Sequence, residues 1–285
     1  QLARKMGKHV IVVDDCAGFY TTRALAPYMS EAIFMLLEGY DVRDIDLAAQ
    51  EAGFPVGPIT LMDEVGIDVG AKITKIMKQY YGDRMEFPDS GTTDAFIAEG
   101  RFGRKSNKGF YVYEDGKSKM EEGQKVVDES CLRYLPKGIP PKAANQKHRV
   151  YMADRLKLAF VNEAAYCLHE GVLREPRAGD LGAIMGIGFP PFTGGPFNYI
   201  DQIGISKIVD DLREFAQNHG PRFAPCPLLV ELAEQGRKIY GTFMEEIISE
   251  TSDGVPPPQT EEVSSSEPDQ GLASAPETSE PLDSS

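Results

Sequence analysis

The chain has 285 residues, about the length of two ordinary domains, with 41% apolar residues, four cysteines and a formal net charge of −14. No apolar run approaches the roughly 18 residues of a membrane-spanning helix, and the basic N-terminus Gln1–Lys8 is not followed by the apolar core of a secretory signal. Every charged residue beyond Lys238 is acidic, which leaves only −3 on the body, so neither a basic nucleic-acid surface nor a strongly acidic fold is implied.

Gly7 to Asp14 is a β-branched run and reads as a strand. Leu25, Met29, Ala32, Ile33, Leu36 and Leu37 recur at helical spacing and predict a helix over Phe19–Glu38, closed by Gly39. A second helix runs from Val42 to Ala52 and stops at Gly53 and Pro55, and a third starts at Pro58 and reaches Glu64. A fourth covers Asp68–Tyr81. Gly82–Asp94 reads as a loop with a short helix behind it, and Gly100–Tyr113 as a basic, glycine-rich loop entering an aromatic extended stretch. Glu114–Gly138 is polar and irregular, and Pro136–Pro141 reads as a junction. Lys147–His169 is one long helix; Gly179–Met185, Ile205–His219 and Pro227–Gly236 are the helices after it, with a Pro- and Gly-rich turn at Phe189–Pro196. From Ser249 to the end there are no aromatic and no basic residues, a composition that predicts disorder.

The order of these features repeats. Arg23, Glu31, Ala32, Leu36, Glu38 and Gly39 align without gaps on Arg155, Glu163, Ala164, Leu168, Glu170 and Gly171. In both stretches there follow an Asp (Asp46, Asp180), a Gly-Phe-Pro turn (Gly53-Phe54-Pro55, Gly188-Phe189-Pro190), a Gly-Pro pair (Gly57-Pro58, Gly195-Pro196) and an Asp-x-x-Gly (Asp63 to Gly66, Asp201 to Gly204). A shared succession of caps and turns marks two related helical modules. The expected divisions are a last strand of a preceding domain at 1–14, a first module at 15–138, a second at 139–242 and a disordered tail at 243–285. The absence of an initial Met and the start immediately before a strand read as a piece cut from a longer protein.

Chemistry-bearing patterns are few. His9, His148, His169 and His219 sit in no nucleophile motif, and Cys16, Cys131, Cys167 and Cys226 are too scattered for a disulfide framework or a zinc site, which fits a reducing compartment. Gly186-Ile-Gly188 and Gly100-Arg-Phe-Gly103 are too short for a dinucleotide fingerprint, and neither leads from a strand into a helix. Arg101, Arg104, Lys105 and Lys108 put four cations within eight residues and could meet a phosphorylated ligand; an ordinary solvated loop is the alternative. Thr22 and Arg23 open the first long helix, where free backbone N–H groups favour a polar ligand.

Four stretches carry a specific resemblance: Val10 to Arg23, Gly53 to Gly66, Gly103-Arg-Lys-Ser-Asn-Lys-Gly-Phe-Tyr111 and Gly186-Ile-Gly-Phe-Pro-Pro191 resemble the C-terminal region of 3-hydroxyacyl-CoA dehydrogenases. The tandem copy narrows this to multifunctional forms, the α subunits of fatty acid β-oxidation complexes of the mitochondrial trifunctional type. The resemblance spans about Gly7 to Tyr240. It implies a mainly α fold, a tandem pair of the helical domains that this family shares with the C-terminal part of 6-phosphogluconate dehydrogenases. It also implies an enoyl-CoA hydratase domain and an NAD-binding Rossmann domain upstream, the latter with the catalytic His–Glu pair, so that no catalytic residue lies in this chain and the chain alone is inactive. The modules then close the acyl-CoA cleft and support oligomerisation, the second standing where single-module relatives place a dimer partner. Substrate-contacting positions carried over are Thr22 (Asn in many relatives), Arg23, Arg104, Lys105 and Met185, where a thioether offers packing and no strong polar contact. Implied partners are a long-chain 3-hydroxyacyl-CoA, the thiolase β subunit of such a complex and, peripherally, the inner mitochondrial membrane, with mitochondrial localisation. The alternative is a non-catalytic helical interaction module whose acidic tail recruits partners.

Overall fold

The computed structural model describes residues 2–82, 84–88, 91–135 and 145–244. These fall in one compact unit, Gln1–Glu246; a second, Ile247–Ser285, lies outside the described residues, as does most of the acidic tail. The helices are α1 (Leu2–Lys5), α2 (Thr21–Leu37), α3 (Val42–Glu51), α4 (Pro58–Val65), α5 (Ile67–Tyr81), α6 (Thr92–Ala98), α7 (Gln146–His169), α8 (Pro176–Ile187), α9 (Pro196–Ile203), α10 (Ile205–His219) and α11 (Pro227–Gln235). The fold is mainly helical, as expected, and its long elements start and stop where their punctuation directs. Asp41 caps α3 by accepting from Arg43 N at 2.8 Å, Pro58 and Pro196 occupy first turns, and Gly39 and Gly188 take left-handed φ values of 94° and 73° beyond helix ends.

The two halves use the same devices. α4 and α9 are eight residues each, α5 and α10 fifteen each, and both pairs are offset by 138 positions. Asp46 on α3 accepts from Ile59 N (2.7 Å) and Thr60 N (3.0 Å) at the start of α4; Asp180 on α8 accepts from Phe197 N (2.8 Å) and Asn198 N (3.2 Å) at the start of α9. Each carboxylate stands at a helix N-terminus, where orphan N–H groups and the helix dipole favour it. Tyr111 Oη donates to Asp46 at 2.8 Å and Tyr240 Oη to Asp180 at 2.7 Å, which ties a later segment of each module back to its second helix, α3 or α8. Asp63 accepts from Phe110 N and Tyr111 N, both at 3.0 Å, and Asp201 from Ile239 N (2.8 Å) and Tyr240 N (3.0 Å).

One continuous core joins the halves, with α2 against α7 as its main helix contact. The two Gly-Phe-Pro turns meet there: the rings of Phe54 and Phe189 stack edge-on with centroids 5.6 Å apart. The expected division at 138/139 lies outside the described residues.

Four readings need correction. Residues 7–14 do not form a strand: Val13 makes a single antiparallel bridge to Leu173, and Asp14 N donates to Val172 O at 3.0 Å. The β-branched run has no neighbouring strand among the described residues, and propensity alone does not supply a ladder. The polar stretch after Tyr113 is not irregular throughout but holds two small hairpins, β1 (Tyr113–Glu114) with β2 (Lys117–Ser118) and β3 (Met120–Glu121) with β4 (Gln124–Lys125). Asp115-Gly116 and Glu122-Gly123 take φ of 50° and 71°, and 50° and 78°, the left-handed pair that a two-residue hairpin turn requires. The segment at 189–196 is shorter as a turn than expected, because Pro196 already opens α9. A helical turn over 239–244 carries order past 242, with Phe243 packed on the core.

Candidate functional site

Two loci stand out, a charged seam between the halves and an apolar groove in the first half. The seam is built from equivalent residues that pair crosswise. Arg23 Nε donates to Glu163 Oε1 at 2.6 Å, and its Nη2 lies 2.7 Å from Glu170 Oε2. Arg155 Nε donates to Glu31 Oε2 at 2.5 Å, and its two Nη groups reach Glu38 at 2.8 and 2.7 Å. Arg84 adds a second cation to Glu163, and Arg222 a second to Glu31. Arg84 and Arg222 are themselves equivalent, 138 positions apart, and each guanidinium lies 4.0 Å from the centroid of an equivalent ring, Tyr166 and Phe34. Every pair crosses from one half to the other, the pattern of a self-complementary interface between two copies related by a two-fold axis. Burial pushes the Glu163 carboxyl up, against the pull of Arg84 and Arg23.

The groove lies between α2 and the α4–α5 corner, with α6 across from α2. Thr22, Leu25, Ala26, Met29 and Ile33 form one wall; Met62, Gly66, Ile67, Gly70 and Ile73 a second; Phe87, Pro88 and Phe96 the far side. It is open on one side and holds a cavity of about 160 Å³. Its surface is mostly apolar, and Thr22 supplies a hydroxyl at one end of the α2 wall. Lys105 stands at the rim: a side chain built on Gly66 would meet its Nζ at 2.9 Å. Lys105 also pairs with Asp68, and this contact holds the Asp68 carboxyl below its usual range.

The structure separates the expected site residues. Thr22 lines the groove and Lys105 flanks it. Arg23 does not line it: the side chain is 1% exposed and pairs with two carboxylates of the other half. Arg104 is exposed and its Nε donates to Gly116 O at 2.7 Å, which clamps the basic loop to the first hairpin. Arg101 is fully buried and donates to Gly109 O and Asp128 Oδ2, both at 2.6 Å, so the four cations do not act as one phosphate cradle. Met185 is 59% exposed near the end of α8, away from the groove lining. Arg84, Arg222 and the groove wall of α5 escaped the sequence reading. Alignment of the loops after Tyr81 and His219 would have found the two arginines, because the 138-residue offset carries one onto the other.

A paired helical module with an open apolar groove is the class that fold and site define, and comparison with known proteins gives its family. The model of the 3-hydroxyacyl-CoA dehydrogenase C-terminal domain matches residues 18–113 and 151–243. The fatty acid oxidation complex subunit alpha of Shewanella loihica is 50% identical over 238 residues, 84% of this chain and 32% of that protein; the one from Vibrio cholerae is 48% identical over 239 residues, with the same coverage. Among solved structures, 3-hydroxybutyryl-CoA dehydrogenase from Escherichia coli superposes with a TM-score of 0.63 at 22% identity, covering 82% of this chain and 63% of that one. The dehydrogenase part of multifunctional enzyme 1 from C. elegans superposes with a TM-score of 0.58 at 24% identity, covering 80% of this chain and 50% of that one. At those identities the likeness establishes the fold. The chain belongs to the 3-hydroxyacyl-CoA dehydrogenase C-terminal domain family, and it spans about a third of the length of the curated relatives it matches.

Proposed function

We propose that this chain is the C-terminal part of a multifunctional fatty acid β-oxidation α subunit and forms the substrate-side wall of its 3-hydroxyacyl-CoA dehydrogenase. The observation that carries the reading is an apolar groove ending at Thr22 in a chain half identical to fatty acid oxidation complex α subunits. In this reading Thr22 hydrogen-bonds the polar end of the acyl group, and Lys105 meets its anionic carrier at the rim. The crosswise seam replaces a dimer contact and keeps the groove-bearing half rigid.

NAD does not fit on the described residues. Their strands are two-residue hairpins, and none leads through a glycine turn into a helix that could hold a pyrophosphate. The hydride acceptor, the His–Glu acid–base pair and enoyl-CoA hydratase activity belong in this reading to domains outside this chain. A thiolase β subunit as partner, attachment to the inner mitochondrial membrane and mitochondrial placement belong to the same proposal.

A chimera tests it. The preceding two thirds of the Shewanella loihica relative joined to this chain should oxidise 3-hydroxyacyl-CoA with formation of NADH, whereas this chain alone should bind the thioester without turnover. A folded chimera without activity, when the unaltered relative is active in the same assay, rejects the proposal.

A further inference from the structure

The two halves differ where the groove lies. α5 and α10 superimpose in sequence at an offset of 138, and α2 and α7 at an offset of 132. Gly70 then falls on Ile208, Ala71 on Val209, Thr74 on Leu212 and Ala26 on Leu158. All four second-half residues are buried, between 0% and 4% exposed, whereas Gly70 has open space where a side chain would stand. α11 packs against both α7 and α10, while its counterpart α6 stands across the groove from α2. One copy of the module has thus filled its groove with aliphatic side chains, and the other has kept it empty at matching positions. An empty apolar groove forgoes the dispersion and burial that fill its twin. A conformational demand on Gly70 does not account for this, because the residue lies inside α5 with an ordinary helical backbone.

The dimensions suit an extended hydrocarbon. The α2 wall runs from Thr22 to Ile33, twelve residues, and its eleven steps of helical rise span about 16 Å. Carbon–carbon bonds of about 1.5 Å at near-tetrahedral angles advance about 1.25 Å each, so the wall matches a chain of about a dozen carbons. The rim suits an anionic head. Lys105 stands there, and α5 carries no acidic residue after Asp68; its exposed Lys72, Lys75 and Lys78 do not line the groove.

We infer that the groove of the first half seats the hydrocarbon tail of a long-chain acyl thioester, one tail per chain, and that Gly70 sets the length it admits. This rests on the β-oxidation reading for the thioester head and goes beyond it in the location, the number and the length of the tail.

Calorimetric titration of the 285-residue chain with hexadecanoyl-CoA and octanoyl-CoA, each below its micelle concentration, tests the inference. Hexadecanoyl-CoA is expected to bind once per chain and at least 100-fold more tightly than the shorter ester. Gly70→Ile copies the second half's own filling residue, and it should reduce that preference below tenfold by weakening hexadecanoyl-CoA while octanoyl-CoA stays within threefold. The melting temperature of the variant should not fall, which separates a plugged groove from a damaged fold. Two tails bound per chain, or an unchanged chain-length preference in the variant, overturns the assignment of the tail to this groove and leaves the β-oxidation reading standing. Failure of the folded chain to bind either ester overturns both. A concentration-dependent dimer with groove residues protected from hydrogen exchange and no ester binding assigns the groove to a second copy of the chain and overturns the inference.

Discussion

Arg23 and Arg155 occupy equivalent places in the two halves, and each is neutralised by the other half: Arg23 by Glu163 at 2.6 Å, Arg155 by Glu31 at 2.5 Å. Both arginines are essentially without solvent contact. The exchange pairs the charges of the two halves beside the apolar faces that α2 and α7 bury against each other.

Loss of Arg155 leaves the buried carboxylate of Glu31 with Arg222 as its remaining cation. Arg155→Ala should destabilise the chain by about 2–4 kcal/mol, at or below the range for a buried charge left wholly uncompensated. Arg174→Ala, which removes an exposed pair with Asp14, should cost less than about 1 kcal/mol. Urea unfolding of the two variants compares them directly, and a double-mutant cycle of Arg155→Ala with Glu31→Ala should return a coupling of about 1–3 kcal/mol.

The glycine opposite the capping Asp46 is held by space alone, whereas Gly195 opposite Asp180 also takes a left-handed φ of 106°. A Cβ on Gly57 would lie 2.3 Å from the Asp46 carboxylate, although its φ of −72° suits any residue. Gly57→Ala should therefore push Asp46 off the first N–H groups of α4 and cost about 2–3 kcal/mol. The measurement is the urea midpoint at constant slope.

Gly70→Ala makes the opposite case. Nothing lies within 4 Å of the added methyl, and the site is inside a helix, so the variant should be more stable by about 0.5–1 kcal/mol. Thermal and urea unfolding should both show the gain.

Asp63 and Asp180 titrate high in the folded chain, raised chiefly by burial to about 6 against the opposing pull of their N–H and tyrosine donors. A folded pKa above the unfolded one means that the folded state binds more protons between about pH 4 and 6. Their contribution is complete below pH 4 and is lost as pH rises through 6, by up to about 3 kcal/mol for each group. Asp180→Asn removes one of the two titrations. The stability of the parent chain minus that of the variant should fall as pH rises from 4 to 7, and a difference independent of pH contradicts the assignment.

Local order was written in local chemistry. The long helices, several of their proline starts and glycine ends, the Gly-Phe-Pro turns and the duplication followed from spacing along the chain, because a cap or a 3.6-residue stripe is complete within one or two turns; the short α1 and α9 were missed. Even the short hairpins carried Asp-Gly and Glu-Gly turns that a closer reading would have used. Tertiary structure decided the rest. Arg23 reads as an exposed helix opener until it meets Glu163, 140 residues away, and Val10 to Val13 reads as a strand until, among the described residues, no second strand is there to pair with it. The groove was equally hidden: Gly70 and Ala71 sit in an unremarkable helix, and only the side chains packed over their counterparts Ile208 and Val209 reveal that one module is filled where the other is open. Periodicity states which face of a helix is apolar, but what covers that face, and whether anything does, is a matter of distant residues brought together.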